Sequence, residues 1–259
     1  MHKAGFVNII GNPNAGKSTL MNAFLSQKLS IITAKAQTTR HRILGIFNTP
    51  EAQVVFSDTP GIIKPEYALQ ERMMDATNST FEDADIMLLV IAADDDGDLD
   101  ENTWKRITNF DGRLLIVLNK VDLSNQKDLE QLANFWQKKL PDAEIWSISA
   151  TESFRVLELR DRIVSLLPNH PPFFPKDQIT DKPERFFVNE AIREQILLRY
   201  QKEIPYAVEV MTEQFEETDK IIRIRSVIVV ERNSQKGIIV GSKGSAIKHV
   251  GIEARKALE

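Results

Sequence analysis

Gly11, four intervening residues, then Gly16, Lys17 and Ser18 stand between the apolar run "FVNII" and the apolar-periodic "LMNAFL". No other stretch constrains the fold as tightly, because a strand must here pass through a tight glycine turn and directly into a helix. Glycines let the backbone curl until successive N–H groups converge, and the helix N-terminus adds its partial positive charge, so the turn is a cradle for phosphate. Lys17 is expected to reach the outer phosphates of a nucleotide and the Ser18 hydroxyl to ligate Mg2+. Gly11, Asn12, Pro13, Asn14, Ala15, Gly16 and Thr19 supply the surrounding loop.

A strand–cradle–helix start predicts continued alternation, and the chain supplies it. The β-rich runs are "GFVNII", "RILGIF", "QVVFS", "DIMLLVIAA", "RLLIVLNK" and "EIWSISA"; "GKSTLMNAFLSQ", "ALQERMMDATNSTF", "NQKDLEQLANFWQKKL" and "VLELRDRIVSLL" have helical spacing. Near-continuous Val, Ile and Leu in the strands implies a mostly parallel sheet covered on both faces, a doubly wound α/β domain over residues 1–168. "PNHPPFFPKDQITDKPER" then puts five prolines into eighteen residues, which breaks the periodicity and reads as a linker over 169–185.

A smaller α+β domain is expected over 186–259. "ERFFVNEAIREQILLRYQKE" predicts a helix burying Val188, Ala191, Ile192 and Leu198. "YAVEVMTE" and "KIIRIRSVIVVER" alternate as strands, with Ile222, Ile224, Ile228 and Val230 on one side. After the glycine loop in "GIIVGSKG", a last helix turns Ala246, Ile247, Val250, Ala254 and Leu258 inward. The predicted order is helix, strand, strand, glycine loop, helix.

With 259 residues, 42% of them hydrophobic, there is chain enough for two ordinary domains. The absence of cysteine excludes disulfides and thiolate metal sites and fits a reducing cytoplasm. The N-terminus lacks the apolar core of a signal peptide, and no run of about eighteen apolar residues occurs. A net charge of −4 hides an asymmetry: Arg223 to Leu258 carries 8 basic against 2 acidic side chains, which suits an anionic partner.

A phosphate cradle does not choose between ATP and GTP. "NKVD", Asn119 to Asp122, closes the strand "LLIVL" at the carboxyl edge of the sheet, where ligands of this fold class bind. A carboxylate at Asp122 accepts from both the ring N–H and the exocyclic amine of guanine, which adenine does not offer there. Asn119, Lys120 and Asp122 are therefore base-contacting candidates, joined by Ser149, Ala150 and Thr151, whose N–H groups would face the guanine carbonyl. This disfavours a P-loop kinase or ATPase.

"DTPG" follows the strand "VVF". Asp58 is expected to hold Mg2+ through water and the Gly61 N–H to sense a third phosphate, with Thr59, Pro60 and Ile62 alongside. "AQTTRHR" places Thr38 and Thr39 where a hydroxyl can ligate Mg2+ only while that phosphate is present; Thr39 is favoured. Ile62 cannot orient a water by hydrogen bonding, as the glutamine of Ras-like enzymes does at this place.

In this order, "GNPNAGKST", "KAQTTRHRI", "FSDTPGI" and "NKVD" resemble the translation-factor-like GTPases and, within them, the bacterial Era family; the likeness continues through "FPKDQITDKPERFFVNEAIREQIL" to the end of the chain. The resemblance implies a GTPase, using GTP or GDP with Mg2+, joined to a KH domain. That domain would bind small-subunit ribosomal RNA near its 3′ end during assembly of the 30S subunit. Cytoplasmic location, with peripheral contact at the inner face of the membrane, goes with that reading; DNA does not. Related GTPases with asparagine at the position of Asn14 bind K+ there, so Asn14 joins Lys17, Thr39 and Gly61 as a catalytic candidate.

Gly241, Ser242, Lys243 and Gly244 match the Gly-x-x-Gly loop of KH modules, which clamps a few nucleotides of single strand, with Lys236, Lys243 and Lys248 as counter-charge. In the family a further strand and helix follow, so the KH module is expected to be incomplete at residue 259. Basic residues on the last helix also suit an anionic membrane surface, but the strands beside it favour RNA. "DDDGDLDEN" does not fit a calcium loop, because aligning Gly97 puts Ala92 and Thr103 at ligand positions; it reads as a solvated acidic loop. The four histidines show no ligand spacing. The competing functional reading is a non-catalytic RNA-binding module holding a structural guanine nucleotide.

Overall fold

The computed structural model describes residues 1–35, 37–63, 65, 68–95 and 99–259. The chain divides into two compact units: Met1–Ser30 with Thr39–Asp181, and Ile31–Thr38 with Lys182–Glu259.

In the first unit, β1 (Lys3–Ile10) leads through the glycine turn into α1 (Lys17–Leu25), followed by β2 (Ile43–Asn48), β3 (Ala52–Asp58), α2 (Ala68–Ser79), β4 (Ile86–Ala92), α3 (Glu101–Thr108), β5 (Arg113–Asn119), α4 (Gln126–Lys139), β6 (Glu144–Ser147) and α5 (Val156–Leu166). The strands form one sheet in the order β2-β3-β1-β4-β5-β6. Only the β2–β3 pair is antiparallel. Every residue of β3 and β4 is buried, β4 apolar throughout and β3 carrying Gln53, Ser57 and Asp58 among its apolar residues, as a sheet covered on both faces requires. On one face Ile10, Met87, Leu89, Ile116, Leu118 and Trp136 share a cluster with Ile62 and Ile107; elsewhere Phe24 stacks on Phe56 at 4.7 Å. The order of strands puts β3 next to β1 and leaves only β4 between β1 and β5, so the carboxyl ends of β3, β1 and β5, where the loops with functional motifs emerge, share one edge of the sheet.

The helix α3 is one the sequence reading did not contain; it begins at the end of the acidic run read as a solvated loop. Asp100, the last aspartate of the acidic run, caps it by accepting from the N–H groups of Asn102 and Thr103. Asp96, Gly97 and Asp98 lie outside the described residues.

The proline-rich stretch read as a linker is tied to the first unit up to Asp181. The buried amide of Gln53 accepts from the N–H groups of Phe173 (2.7 Å) and Phe174 (3.0 Å) and donates to the Phe174 carbonyl (2.8 Å). Ile46 N–H donates to the Ile179 carbonyl (2.9 Å) and Gly45 bridges Thr180 antiparallel, so the strap covers the free edge of β2.

The second unit contains α6 (Glu184–Arg199), β7 (Val208–Glu217), β8 (Ile222–Val230), α7 (Asn233–Val240) and α8 (Ser245–Leu258). β7 and β8 form an antiparallel ribbon with an irregularity between Thr212 and Gln214. The core gathers Ile196, Tyr200, Ile204, Val208, Val210, Ile239 and Val250. α7 is a helix the sequence reading did not contain; the Arg232 N–H donates to the Gln235 side chain at its start (2.9 Å). Leu198 is exposed, because the last turn of α6 turns Ile196 and Leu197 inward instead. Ile222 and Ile224 are exposed as well, unlike Ile228 and Val230, since the described core of the unit reaches only the Val208–Val210 and Ile228–Val230 end of the ribbon. Ile247 and Leu258 are 37% and 41% exposed, while Val250 and Ala254 are buried as expected from the period. Among the described residues no helix is long and apolar enough to cross a membrane.

Candidate nucleotide site and glycine loop

The turn after β1 is held by backbone geometry that glycine tolerates. Gly11 has φ +147° and a Cβ there would lie 2.1 Å from the Val90 carbonyl oxygen; Gly16 has φ +95° and a Cβ would lie 2.2 Å from Asn119 Nδ2. Asn14 is left-handed at φ 62° and exposed. Lys17 is buried, its ammonium donating to the carbonyls of Gly11 (2.9 Å) and Asn12 (2.8 Å). Burial lowers its pKa to about 8, with the Asp58 carboxylate pulling the other way. Asn12 Nδ2 donates to Asp95 (3.2 Å), a partner that no motif pointed to.

Ser18 Oγ donates to Asp58 Oδ2 (2.7 Å) and lies 3.0 Å from Thr39 Oγ1. The structure thus brings together a residue from the start of α1, one from the end of β3 and one from the segment before β2. Asp58 is fully buried and its other oxygen, Oδ1, has no hydrogen-bond partner among the described residues. Burial pushes the Asp58 carboxyl up, against the Ser18 hydrogen bond and the Lys17 charge. One carboxylate and two hydroxyls, with a carboxylate oxygen left over, are the hard oxygen set that suits a divalent cation such as Mg2+.

Beyond Asp58, the Thr59 hydroxyl is buried and donates to the Ile9 carbonyl (2.9 Å), which makes it a brace between β3 and β1. Gly61 presses on the phosphate turn, since a Cβ there would lie 2.8 Å from Pro13 Cα. Ile62 donates its N–H to the Gly11 carbonyl (3.1 Å) and packs its side chain into the apolar cluster under β1 and β4. It therefore shapes the turn from below.

At the end of β5, Asn119 is buried and acts in two directions: Nδ2 donates to the Ala15 carbonyl (2.9 Å), and Oδ1 accepts from the Ala150 N–H (3.0 Å). Lys120 is left-handed at φ 63°, with its ammonium 3.5 Å from Asp94. Asp122 is exposed in the turn Val121–Leu123, free of the sheet. Ser149 pairs with Phe154 and its hydroxyl accepts from the Glu152 N–H (3.2 Å), which closes the loop carrying Ala150 and Thr151.

In the second unit Gly241, Ser242, Lys243 and Gly244 join α7 to α8. Gly241 has φ +69° and a Cβ there would lie 2.6 Å from Ala246 Cβ; Gly244 has φ +77° with nothing within 4 Å of a Cβ. Lys236, Lys243 and Lys248 are exposed around the loop. Tyr200 Oη donates to the Ile239 carbonyl (2.7 Å) and so ties the end of α6 to the helix that leads into it. Burial raises the pKa of this phenol, opposed by Arg199.

Residues 6–120 match the family described as 50S ribosome-binding GTPase, and residues 203–259 match the KH domain. GTPase Era of Lacticaseibacillus paracasei is 42% identical over 260 residues, spanning 100% of this chain and 87% of the relative. The chain belongs to the Era GTPase family. It is accordingly a guanine-nucleotide-binding GTPase with a KH domain, and the alternative of a nucleotide kept purely for structure is set aside. Among solved structures, Era in complex with MgGDPNP and nucleotides 1506–1542 of 16S ribosomal RNA is similar with a TM-score of 0.92 and 36% identity, over 100% of this chain and 89% of that one. A variant of Aquifex aeolicus Era bound to GDP and tetrafluoroaluminate matches with a TM-score of 0.91 and 36% identity, over 99% and 89% of the respective chains.

Proposed function

We propose that this GTPase is a switch that binds the 3′ region of small-subunit ribosomal RNA through its KH unit during 30S assembly and releases it after hydrolysis. The observation that carries the reading is the cluster of Ser18, Thr39 and Asp58, because it joins the phosphate turn to a residue of the segment before β2. When Mg2+ is bound, Ser18 and Thr39 would hold it directly and Asp58 through water, and the ion would offset the negative charge of the phosphates. Lys17 is the cation placed to meet the outer phosphates, exchanging its two carbonyl partners for phosphate oxygens. Asp122 selects guanine, and Asn119 holds the base-contacting turn against the phosphate turn.

The segment just before Thr39 belongs to the second unit. There Lys35 donates to the carbonyls of Leu197 and Tyr200 at the end of α6, and Arg193, paired with the buried Glu190 (2.6 Å), donates to the Thr38 carbonyl. Ordering of Thr39 by a third phosphate is thereby linked through one peptide bond to a segment anchored on the KH unit, which supports a nucleotide-controlled RNA site. A related structure solved with an RNA segment and a GTP analogue supports the choice of RNA.

Since Ile62 brings no polar group to the attacking water, Asn14 would hold a K+ ion, and that ion would supply positive charge to the transition state. Single-turnover GTP hydrolysis is expected to run several-fold faster in KCl than in NaCl of equal strength, and Asn14→Ala to erase the difference while GDP affinity stays. Equal rates in the two salts would remove Asn14 from the mechanism. Failure of a 3′-terminal 16S RNA fragment to bind in the presence of a GTP analogue would remove the RNA assignment.

A further inference from the structure

Asn8 interrupts the apolar run of β1, yet it is fully buried. Its Nδ2 donates to the Thr80 carbonyl and to Asp83 Oδ1 (2.8 Å), both just beyond α2. Its Oδ1 accepts from Arg42 Nη2 (3.5 Å). The same guanidinium pairs with Asp83 Oδ2 at 2.7 Å, and its Nε donates to Ser57 Oγ at 2.7 Å. Ser57 and Asn8 are register partners on adjacent strands, both without solvent exposure, so Arg42 reaches into a polar pocket in the sheet.

The chain positions give this cluster its significance. Arg42 lies three residues after Thr39 and directly before Ile43, which pairs with Asp58. Ser57 directly precedes Asp58. Asp83 and Thr80 follow α2, the helix that comes after Gly61, and the Thr77 hydroxyl of that helix donates back to the Pro60 carbonyl (3.1 Å). From the root of the Thr39 segment, on which it stands, one guanidinium thus reaches Ser57, the neighbour of the cation carboxylate, and Asp83, beyond the helix that follows Gly61.

We propose that Arg42 is a positioning residue for GTP hydrolysis, which with Asp83 and Asn8 makes the segments carrying Thr39 and Gly61 close on the third phosphate as one unit. The proposal rests on the reading that Thr39 and Gly61 sense that phosphate. A fork of donors is required, because Ser57 and Asp83 are held at once by different nitrogens; a lysine ammonium on its single flexible stem is not pre-organised to span both. With the fork removed, each segment must be ordered separately when GTP binds, so the cost falls on the triphosphate state and leaves the diphosphate state unaffected.

The test compares wild type, Arg42→Ala, Arg42→Lys, Asp83→Asn, the Arg42→Ala/Asp83→Asn double variant and Thr39→Ala. Single-turnover GTP hydrolysis and the affinities for GDP and a non-hydrolysable GTP analogue are measured for each. Expected is a five- to twentyfold loss of rate and of analogue affinity in Arg42→Ala and Asp83→Asn, with GDP affinity within twofold, a double variant no worse than the poorer single one, and Arg42→Lys close to Arg42→Ala. Parallel losses of GDP and analogue affinity would show a merely structural role, and multiplicative losses in the double variant would show that the pair does not act together; either result overturns the proposal. If Arg42→Ala fails to fold, Asp83→Asn, a near-isosteric change at a side chain 40% exposed, decides by the same criteria. Thr39→Ala separates the two levels: normal hydrolysis in that variant refutes the phosphate-sensing reading itself.

Discussion

Asn119→Ala should damage the first unit even before nucleotide is added. The side chain bridges two buried main-chain groups, the Ala15 carbonyl and the Ala150 N–H, at 2.9 and 3.0 Å. Truncation leaves both without a partner, and each buried orphan costs about 1–3 kcal/mol, less whatever water recovers in the vacated space. A total of about 2–4 kcal/mol follows, a large share of the stability of an ordinary domain. The phosphate turn and the base turn are also released from each other, so guanine nucleotide affinity should fall at least tenfold, more than about 1.4 kcal/mol.

The protein offers a selective probe for this experiment. Its three tryptophans, Trp104, Trp136 and Trp146, all belong to the first unit, so their fluorescence during urea unfolding follows that unit alone. The expected result is a midpoint shift equivalent to about 2–4 kcal/mol with the slope unchanged. A shift below about 0.5 kcal/mol would refute the bridging argument, and intact stability with lost nucleotide binding would return Asn119 to a purely base-contacting role.

Asp122→Asn, at an exposed turn position with no side-chain partner among the described residues, should weaken GTP and improve xanthosine triphosphate without moving the tryptophan transition; competition binding with the two nucleotides checks it. Gly244→Asp places a carboxylate in open space beside the glycine loop and should reduce RNA affinity at least tenfold by filter binding with GTP affinity intact, whereas Gly241→Asp would collide with Ala246 and confuse the test. Tyr200→Phe should cost the second unit about 1 kcal/mol through the Ile239 carbonyl it leaves unpaired. Because burial raises this phenol's pKa, folding favours its protonated form; that contribution is complete below the ordinary value of about 10 and is lost as the pH rises above it, so wild type should lose stability there and the phenylalanine variant should lose less, as circular dichroism melts in the alkaline range would show.

The strands, the mostly parallel sheet and the phosphate turn were legible because their determinants are local. Glycines at Gly11 and Gly16 occupy backbone conformations that other residues resist, so the spacing itself writes the turn into the sequence. The unbroken apolar run did the same for β4. The two missed helices fail for opposite reasons: α3 sits behind an acidic run whose last aspartate serves as its cap, and α7 is a single short stretch in which Gly237, Ile238, Ile239 and Val240 have poor helix propensity. The proline-rich strap looked free because prolines punctuate it, and what ties it down is a glutamine inside β3 more than a hundred residues away.

That last case points to what a motif conceals. Asn119 is found by its place in "NKVD", which suggests only contact with a base, yet its measurable bonds run to the phosphate turn and to the loop of Ala150. Thr59 lies inside "DTPG" but spends its hydroxyl on β1. Arg42 has no motif role, while its guanidinium contacts three separate segments. Partners of this kind depend on strand register, which sets Ser57 beside Asn8 and Asp58 beside Ile43, and register is decided by the whole sheet. Residues that touch the nucleotide can therefore be proposed from short patterns, whereas residues that make the separate patterns act together become visible only when the strands are paired.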